Sequence, residues 1–158
     1  MATIDQAIQA VRDAEYLEAF NLFLEIYGTA DAPPINTPKA ASGLSWFGLC
    51  LALVRKEYKP AIDLCQRAIN TEFYNGDHYA NLARIYLIAG KRKKAVETAD
   101  AGLKVARDNP YVRQVRQSLG VRARPALPFL DRTNPINVSL GQARHAKKVA
   151  DREKKKRG

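Results

Sequence analysis

The chain has 158 residues, of which 46% are hydrophobic and 27% charged, and it carries a formal net charge of +10. This composition is typical of a globular domain and excludes a collagen-like, mucin-like or wholly disordered chain. No stretch has the roughly 20 uninterrupted apolar residues of a membrane-spanning helix. Polar residues from Asp5 to Arg12 interrupt any apolar leader, and Cys50 and Cys65 are too few for a disulfide framework. We therefore expect a cytoplasmic protein.

Apolar residues recur three and four positions apart along most of residues 1–120, which predicts a series of amphipathic helices. In chain order, these stripes cover residues 4–11, 19–27, 44–54, 62–69 and 96–103. Between the second and third stripes, residues 32–38 contain three prolines and predict a loop. Gly90 predicts a turn, and Asn109-Pro110 predicts the start of a further helix that ends at Gly120.

Small residues repeat with an offset of 34 positions in the second half of this region. The matched pairs are Ala61 and Ala95, Cys65 and Ala99, and Ala68 and Gly102. Small side chains at such positions allow neighbouring helices to approach closely. Gly102 costs about 1 kcal/mol inside a helix, so tight packing has to compensate for it. Ahead of the second copy, the chain has the spacing Tyr-x2-Leu-Ala-x2-Tyr-x3-Gly from position 79 to position 90.

With this pattern, residues 1–120 resemble the tetratricopeptide repeat family. Residues 76–109 match it best, residues 42–75 carry Ser45 where the family has an aromatic residue, and residues 1–30 retain mainly the second helix. The resemblance implies an all-α solenoid of about three helical hairpins, closed by a capping helix at 110–119. It does not extend to residues 121–158.

The resemblance also implies a groove, lined by the first helix of each repeat, that binds a peptide or a partner protein. Carried onto this sequence, the groove residues are Ile8, Val11, Trp46, Cys50, Leu53, Arg84, Leu87 and Gln114. Most of them are apolar, which favours an apolar peptide or an amphipathic helix as the ligand. Only Arg84 could serve in the carboxylate clamp that some family members use. Trp46 is either a binding hot spot in the groove or a core residue.

Residues 121–158 carry most of the net charge, with 11 Lys or Arg and 3 Asp or Glu. We expect an extended, Pro-containing apolar segment followed by a basic and flexible tail, in which residues 138–158 could form a helix that is weak on its own. The apolar segment is a possible docking motif, for its own groove or for another protein, through Pro125, Leu127, Pro128, Phe129 and Leu130. The possible polyanion contacts are Arg144, Lys147, Lys148, Arg152, Lys154, Lys155, Lys156 and Arg157. A tail of this kind either binds nucleic acid or the ribosome, or remains a solvated end.

Catalytic motifs are absent from the sequence: it has no phosphate-binding loop, no G-x-G-x-x-G, no H-E-x-x-H and no G-x-S-x-G. We expect His78 to be a surface or packing residue, and Cys50 and Cys65 to be buried small hydrophobes. A Cys50–His78 pair would need an orienting third group that the sequence does not suggest. We therefore expect a non-enzymatic scaffold or chaperone-like adaptor without cofactor or metal, with a nucleic-acid- or ribosome-associated factor as the alternative.

Overall fold

The computed structural model of the protein describes residues 1–28, 38–120 and 134–157, and over these residues it contains eight α-helices and no β-strand. The helices are α1 Ile4–Arg12, α2 Tyr16–Tyr27, α3 Pro38–Val54, α4 Tyr58–Thr71, α5 Gly76–Ile88, α6 Arg92–Val105, α7 Pro110–Leu119 and α8 Pro135–Arg157. The predicted all-α class is confirmed. The contacts divide the chain into two units, residues 1–120 and residues 121–158.

Local side-chain caps define the starts of α1, α5 and α7. Thr3 and Gln6 form a capping box at α1, in which the Thr3 hydroxyl accepts from the Gln6 N–H at 3.2 Å. At α5, the Asn75 side chain accepts from the Asp77 N–H at 3.1 Å. At α7, the Asn109 side chain accepts from two successive N–H groups, each at 3.0 Å, and Pro110 occupies the first turn. These contacts satisfy N–H groups that have no partner inside their own helix.

Three connections of the same length join α1 to α2, α3 to α4, and α5 to α6. Each has three residues, and in each the middle one has a left-handed backbone: Ala14 at φ 63°, Lys56 at φ 62° and Gly90 at φ 75°. These three residues are separated by 42 and 34 positions along the chain. The second spacing equals the offset of the small-residue repeat, so the same turn recurs at corresponding places.

The helices of the first unit form two layers. Odd-numbered helices α1, α3, α5 and α7 contact one another in succession. Within the described residues, α2, α4 and α6 contact odd-numbered helices but not one another. The odd-numbered helices are therefore the inner layer, where neighbouring helices are closest, and the even-numbered helices are the outer layer.

Small residues allow the two layers to meet at short distance. The six residues of the small-residue repeat are all buried. A Cβ atom added to Gly102 would lie 2.6 Å from the Cβ of Tyr79 and 2.9 Å from a methyl carbon of Val112. Larger side chains fill the other end of the unit, where the ring of Phe47 packs at centroid distances of 5.5 to 5.8 Å against Phe20, Phe23 and Tyr27.

The predicted extended conformation is wrong for residues 135–157, which form the helix α8; a basic helix over residues 138–158 was the alternative that the sequence left open. The reason lies in the composition after Gly141: the chain there consists mostly of Ala, Lys, Arg, Gln and Glu, which are strong helix formers, and it contains no proline. The predicted apolar docking segment and the proline-rich loop, apart from Pro38 at the start of α3, lie outside the described residues. Among the helices that are described, none combines the length and the hydropathy needed to cross a membrane.

Candidate partner-binding surface

The predicted groove residues all lie on the inner layer, but they differ in how much surface they expose. They comprise Ile8 and Val11 on α1, Trp46, Cys50 and Leu53 on α3, Arg84 and Leu87 on α5, and Gln114 on α7. Val11, Trp46 and Cys50 are buried, whereas Leu87, with 40% of its surface exposed, and Gln114 are accessible. The remaining three are partly buried. The surface open to a partner is thus smaller and more polar than the sequence suggested.

Trp46 packs against inner-layer side chains rather than the aromatic cluster of Phe47. Its ring stacks on Tyr111 of α7 with centroids 5.1 Å apart and planes 13° apart. The guanidinium of Arg12 lies over the Trp46 ring, 5.6 Å from its centroid. Trp46 is only 3% exposed, so it supports neighbouring side chains and offers almost no surface of its own.

Arg84 is the other cation of this region, and it is held by a hydroxyl group. One of its terminal nitrogens donates to the hydroxyl of Tyr111 at 2.9 Å, and the Tyr16 hydroxyl interacts electrostatically with the guanidinium. Burial raises the pKa of Tyr111 above its ordinary value, although Arg84 opposes that shift, so the phenol stays neutral. In the part of the chain that the structure describes, neither Arg12 nor Arg84 forms an ion pair with a carboxylate.

A buried chain of hydrogen bonds runs beneath this surface. The His78 ring contacts the Ser45 hydroxyl at 2.8 Å through Nδ1 and the Glu72 carboxylate at 2.9 Å through Nε2. The Asn81 amide donates to Ser45 at 3.1 Å and accepts from the Tyr111 hydroxyl at 2.8 Å. We call Glu72, His78, Ser45, Asn81, Tyr111 and Arg84 the polar chain.

A serine, a histidine and a glutamate joined in this order by hydrogen bonds have the composition of a catalytic triad. Here Ser45 and His78 have no exposed surface, so no substrate reaches the hydroxyl in this conformation. Burial lowers the pKa of His78, and the hydrogen bond and charge of Glu72 oppose that shift. The arrangement therefore links α3, α5 and the end of α4 by fully satisfied polar groups.

Sequence reasoning missed most of the polar chain, Arg12 above the Trp46 ring, and Tyr16 beside Arg84. Glu72, Ser45, Asn81, Tyr111, Arg12 and Tyr16 were not among the predicted site residues. Ser45 did give a signal, because it is a small polar residue where the repeat pattern has an aromatic one. His78 is a packing residue, one of the two possibilities left open by the sequence.

The two cysteines are free and buried, on α3 and α4. Burial raises the pKa of Cys50 to about 12, partly offset by the charge of Arg84, and it raises the pKa of Cys65 as well. Both thiols are therefore protonated at neutral pH. Over residues 1–28, 38–120 and 134–157, no three His, Cys, Asp or Glu side chains come together in a way that could hold a metal ion.

No protein-family model matches this chain, and none of the curated proteins compared with it gives a significant match. The resemblance to tetratricopeptide repeats therefore depends on the residues and on the geometry described above.

Proposed function

We propose that the chain is a non-enzymatic interaction scaffold of the tetratricopeptide type, with about three repeats and α7 as the cap. Two observations support the repeat assignment. The left-handed residues Ala14, Lys56 and Gly90 stand at corresponding places in the three connections. The odd-numbered helices contact one another while the even-numbered ones do not, which is the contact pattern of a curved stack with the odd-numbered helices on its concave side.

The inner layer is the surface on which a partner segment would bind. The observation that carries this proposal is the guanidinium of Arg84, which is partly buried, donates to the neutral hydroxyl of Tyr111 and has no carboxylate partner among the described residues. Leu87 lies one turn further along α5, and Gln114 lies one turn beyond Tyr111 on α7, so an apolar contact and a polar contact are close by. A partner segment with an apolar anchor next to an acidic side chain would complement this surface.

The test selects ligands from a library of random 12-residue peptides displayed on phage, with the full chain as bait. We expect enriched peptides that combine Asp or Glu with Leu, Ile, Phe or Trp. Binding of a selected peptide to Leu87→Asp should be at least 10-fold weaker by titration calorimetry, because a carboxylate replaces the apolar contact and repels the acidic anchor. Arg84→Gln should weaken binding by a similar factor.

Leu17→Asp is the matched control. Leu17 lies on the outer-layer helix α2 and is 64% exposed, so the same substitution there should leave affinity within twofold of the parent. Circular dichroism establishes that each variant keeps its helix content. Enriched peptides without acidic residues, or equal affinity for the Leu87 and Leu17 variants, would rule out this surface.

A further inference from the structure

The helix α8 is a long and highly exposed basic element in the second unit. It covers 23 residues, and every residue from 138 to 155 is exposed. Its accessible cations are Arg144, Lys147, Lys148, Arg152, Lys154 and Lys155. At a rise of about 1.5 Å per residue, the cations from Arg144 to Lys155 extend along roughly 16 Å of helix.

Most of these cations share one side of α8, and Lys154 lies outside it. At about 100° per residue, Arg144, Lys148, Arg152 and Lys155 fall within an arc of about 80°, which we call the basic stripe. Lys147 lies beside it, about 60° from Arg144. The two acidic residues of the helix differ in position: Asp151 falls within the same side as the stripe, whereas Glu153 falls on the opposite side.

The apolar residues of α8 do not form a matching face. By the same projection, Ile136 and Leu140 lie on one side, while Val138 and Val149 lie on nearly the opposite side. A helix that inserts into a lipid surface needs its apolar residues on one face, so this distribution disfavours a membrane as the partner. The helix also contains no Phe, Tyr or Trp, which removes the stacking contacts typical of single-stranded nucleic acid binding.

We propose that α8 binds the phosphate backbone of B-form duplex DNA without reading its sequence. An α-helix with side chains is about 10–12 Å across, and the major groove of B-DNA is about 12 Å wide. With the basic side of α8 turned into that groove, Arg152 at one edge and Lys147 at the other, about 140° apart, reach toward phosphates of the two flanking strands. The major groove of A-form RNA is too narrow and deep for this fit. The proposal concerns the second unit alone and does not depend on the partner-binding surface of the first.

The first test measures fluorescence anisotropy of a labelled 20-base-pair DNA duplex with the full chain, from 50 to 200 mM salt. Replacing Arg144, Lys148, Arg152 and Lys155 by Gln should lower the affinity more than 10-fold at 50 mM salt. It should also reduce the slope of log K against log salt by about 3 to 4. Gln is nearly as good a helix former as Lys or Arg, so the variant keeps its helical propensity.

The matched control replaces Lys91, Arg92, Lys93 and Lys94 by Gln, at the start of α6. Both variants bring the formal net charge from +10 to +6, so they differ only in where the charge is lost. We expect the control to bind DNA within threefold of the parent. Equal losses in the two variants would show that net charge alone attracts DNA and would overturn the proposal.

A second pair of variants tests the orientation of α8 without removing any cation. Asp151→Asn should strengthen DNA binding two- to fivefold, because it removes a negative charge from the DNA-facing side, whereas Glu153→Gln should change it by less than half as much. Equal effects would contradict the assigned face. Tighter binding to duplex RNA, to single-stranded DNA or to vesicles with anionic lipids than to duplex DNA would also overturn the proposal.

Discussion

Gly102 shows how one residue sets the distance between helices. It lies inside α6 and costs about 1 kcal/mol of helix propensity relative to alanine. Its hydrogen in place of a methyl group leaves room for Tyr79 and Val112, which would otherwise be 2.6 and 2.9 Å from the added carbon. Close packing of α5, α6 and α7 at this point compensates for the loss of helix propensity.

We expect Gly102→Ala to lower the free energy of unfolding by about 1–3 kcal/mol, since overpacking outweighs the gain in helix propensity. Urea denaturation followed by circular dichroism measures the change. Gly141→Ala in α8 is the control, because no atom of the described residues lies within 4 Å of the position of its Cβ. That variant should increase helix content without lowering the urea midpoint. A Gly102→Ala protein as stable as the parent would contradict the packing described here.

The close packing at Gly102 was predictable from the sequence, but the polar chain was not, for a physical reason. Close packing of small residues leaves a periodic pattern in the chain, and Ala61, Ala95 and Gly102 follow it. A buried hydrogen bond leaves no such pattern. Ser45 and His78 are 33 residues apart, and Asn81 and Tyr111 are 30 apart, so their pairing depends on how three helices pack.

At the scale of helices, the first unit was largely predictable because the signals are local. Caps such as Asn109-Pro110 and turns such as Gly90 depend on neighbouring residues only. For α8 the outcome was different. Its few apolar residues suggested a tail without stable structure. The strong helix formers in this segment nevertheless form a helix without a continuous apolar face. The sequence also left undecided whether Trp46 is buried, because periodicity places it on α3 but does not indicate which residues cover it.

The three equivalent connections share one backbone geometry, so substitutions in opposite directions at two of them should change the free energy of unfolding with opposite signs. A left-handed backbone costs a residue with a Cβ roughly 1 kcal/mol more than glycine. Lys56→Gly should therefore stabilise the protein by about 0.5 kcal/mol, after the extra freedom of glycine in the unfolded chain is subtracted. Gly90→Ala should destabilise it by about 1 kcal/mol. Urea midpoints measure both changes, and shifts of the same sign in the two variants would show that the connections are not equivalent.

For the whole first unit, the polar chain makes stability depend on pH. It connects α3 and α5 through His78, which is fully buried, and α5 and α7 through Asn81 and Tyr111. Burial lowers the pKa of His78 below the ordinary value of 6.5, more than Glu72 and the nearby charge of Asp77 raise it. Below about pH 6.5, the unfolded chain therefore binds a proton that the folded chain does not.

Stability should consequently fall as the pH decreases from 7.5 to 5.5, by at most about 1.4 kcal/mol per pH unit below 6.5. This range lies above the ordinary titration of carboxylates, so their contribution is small. Urea denaturation of the parent and of His78→Gln isolates the effect. The variant should be less stable at pH 7.5, because the ring no longer fills its site between Ser45 and Glu72, and its stability should change less between pH 7.5 and 5.5. Equal pH dependence in the two proteins would show that His78 is not the group that titrates, because every other ionisable side chain is the same in both.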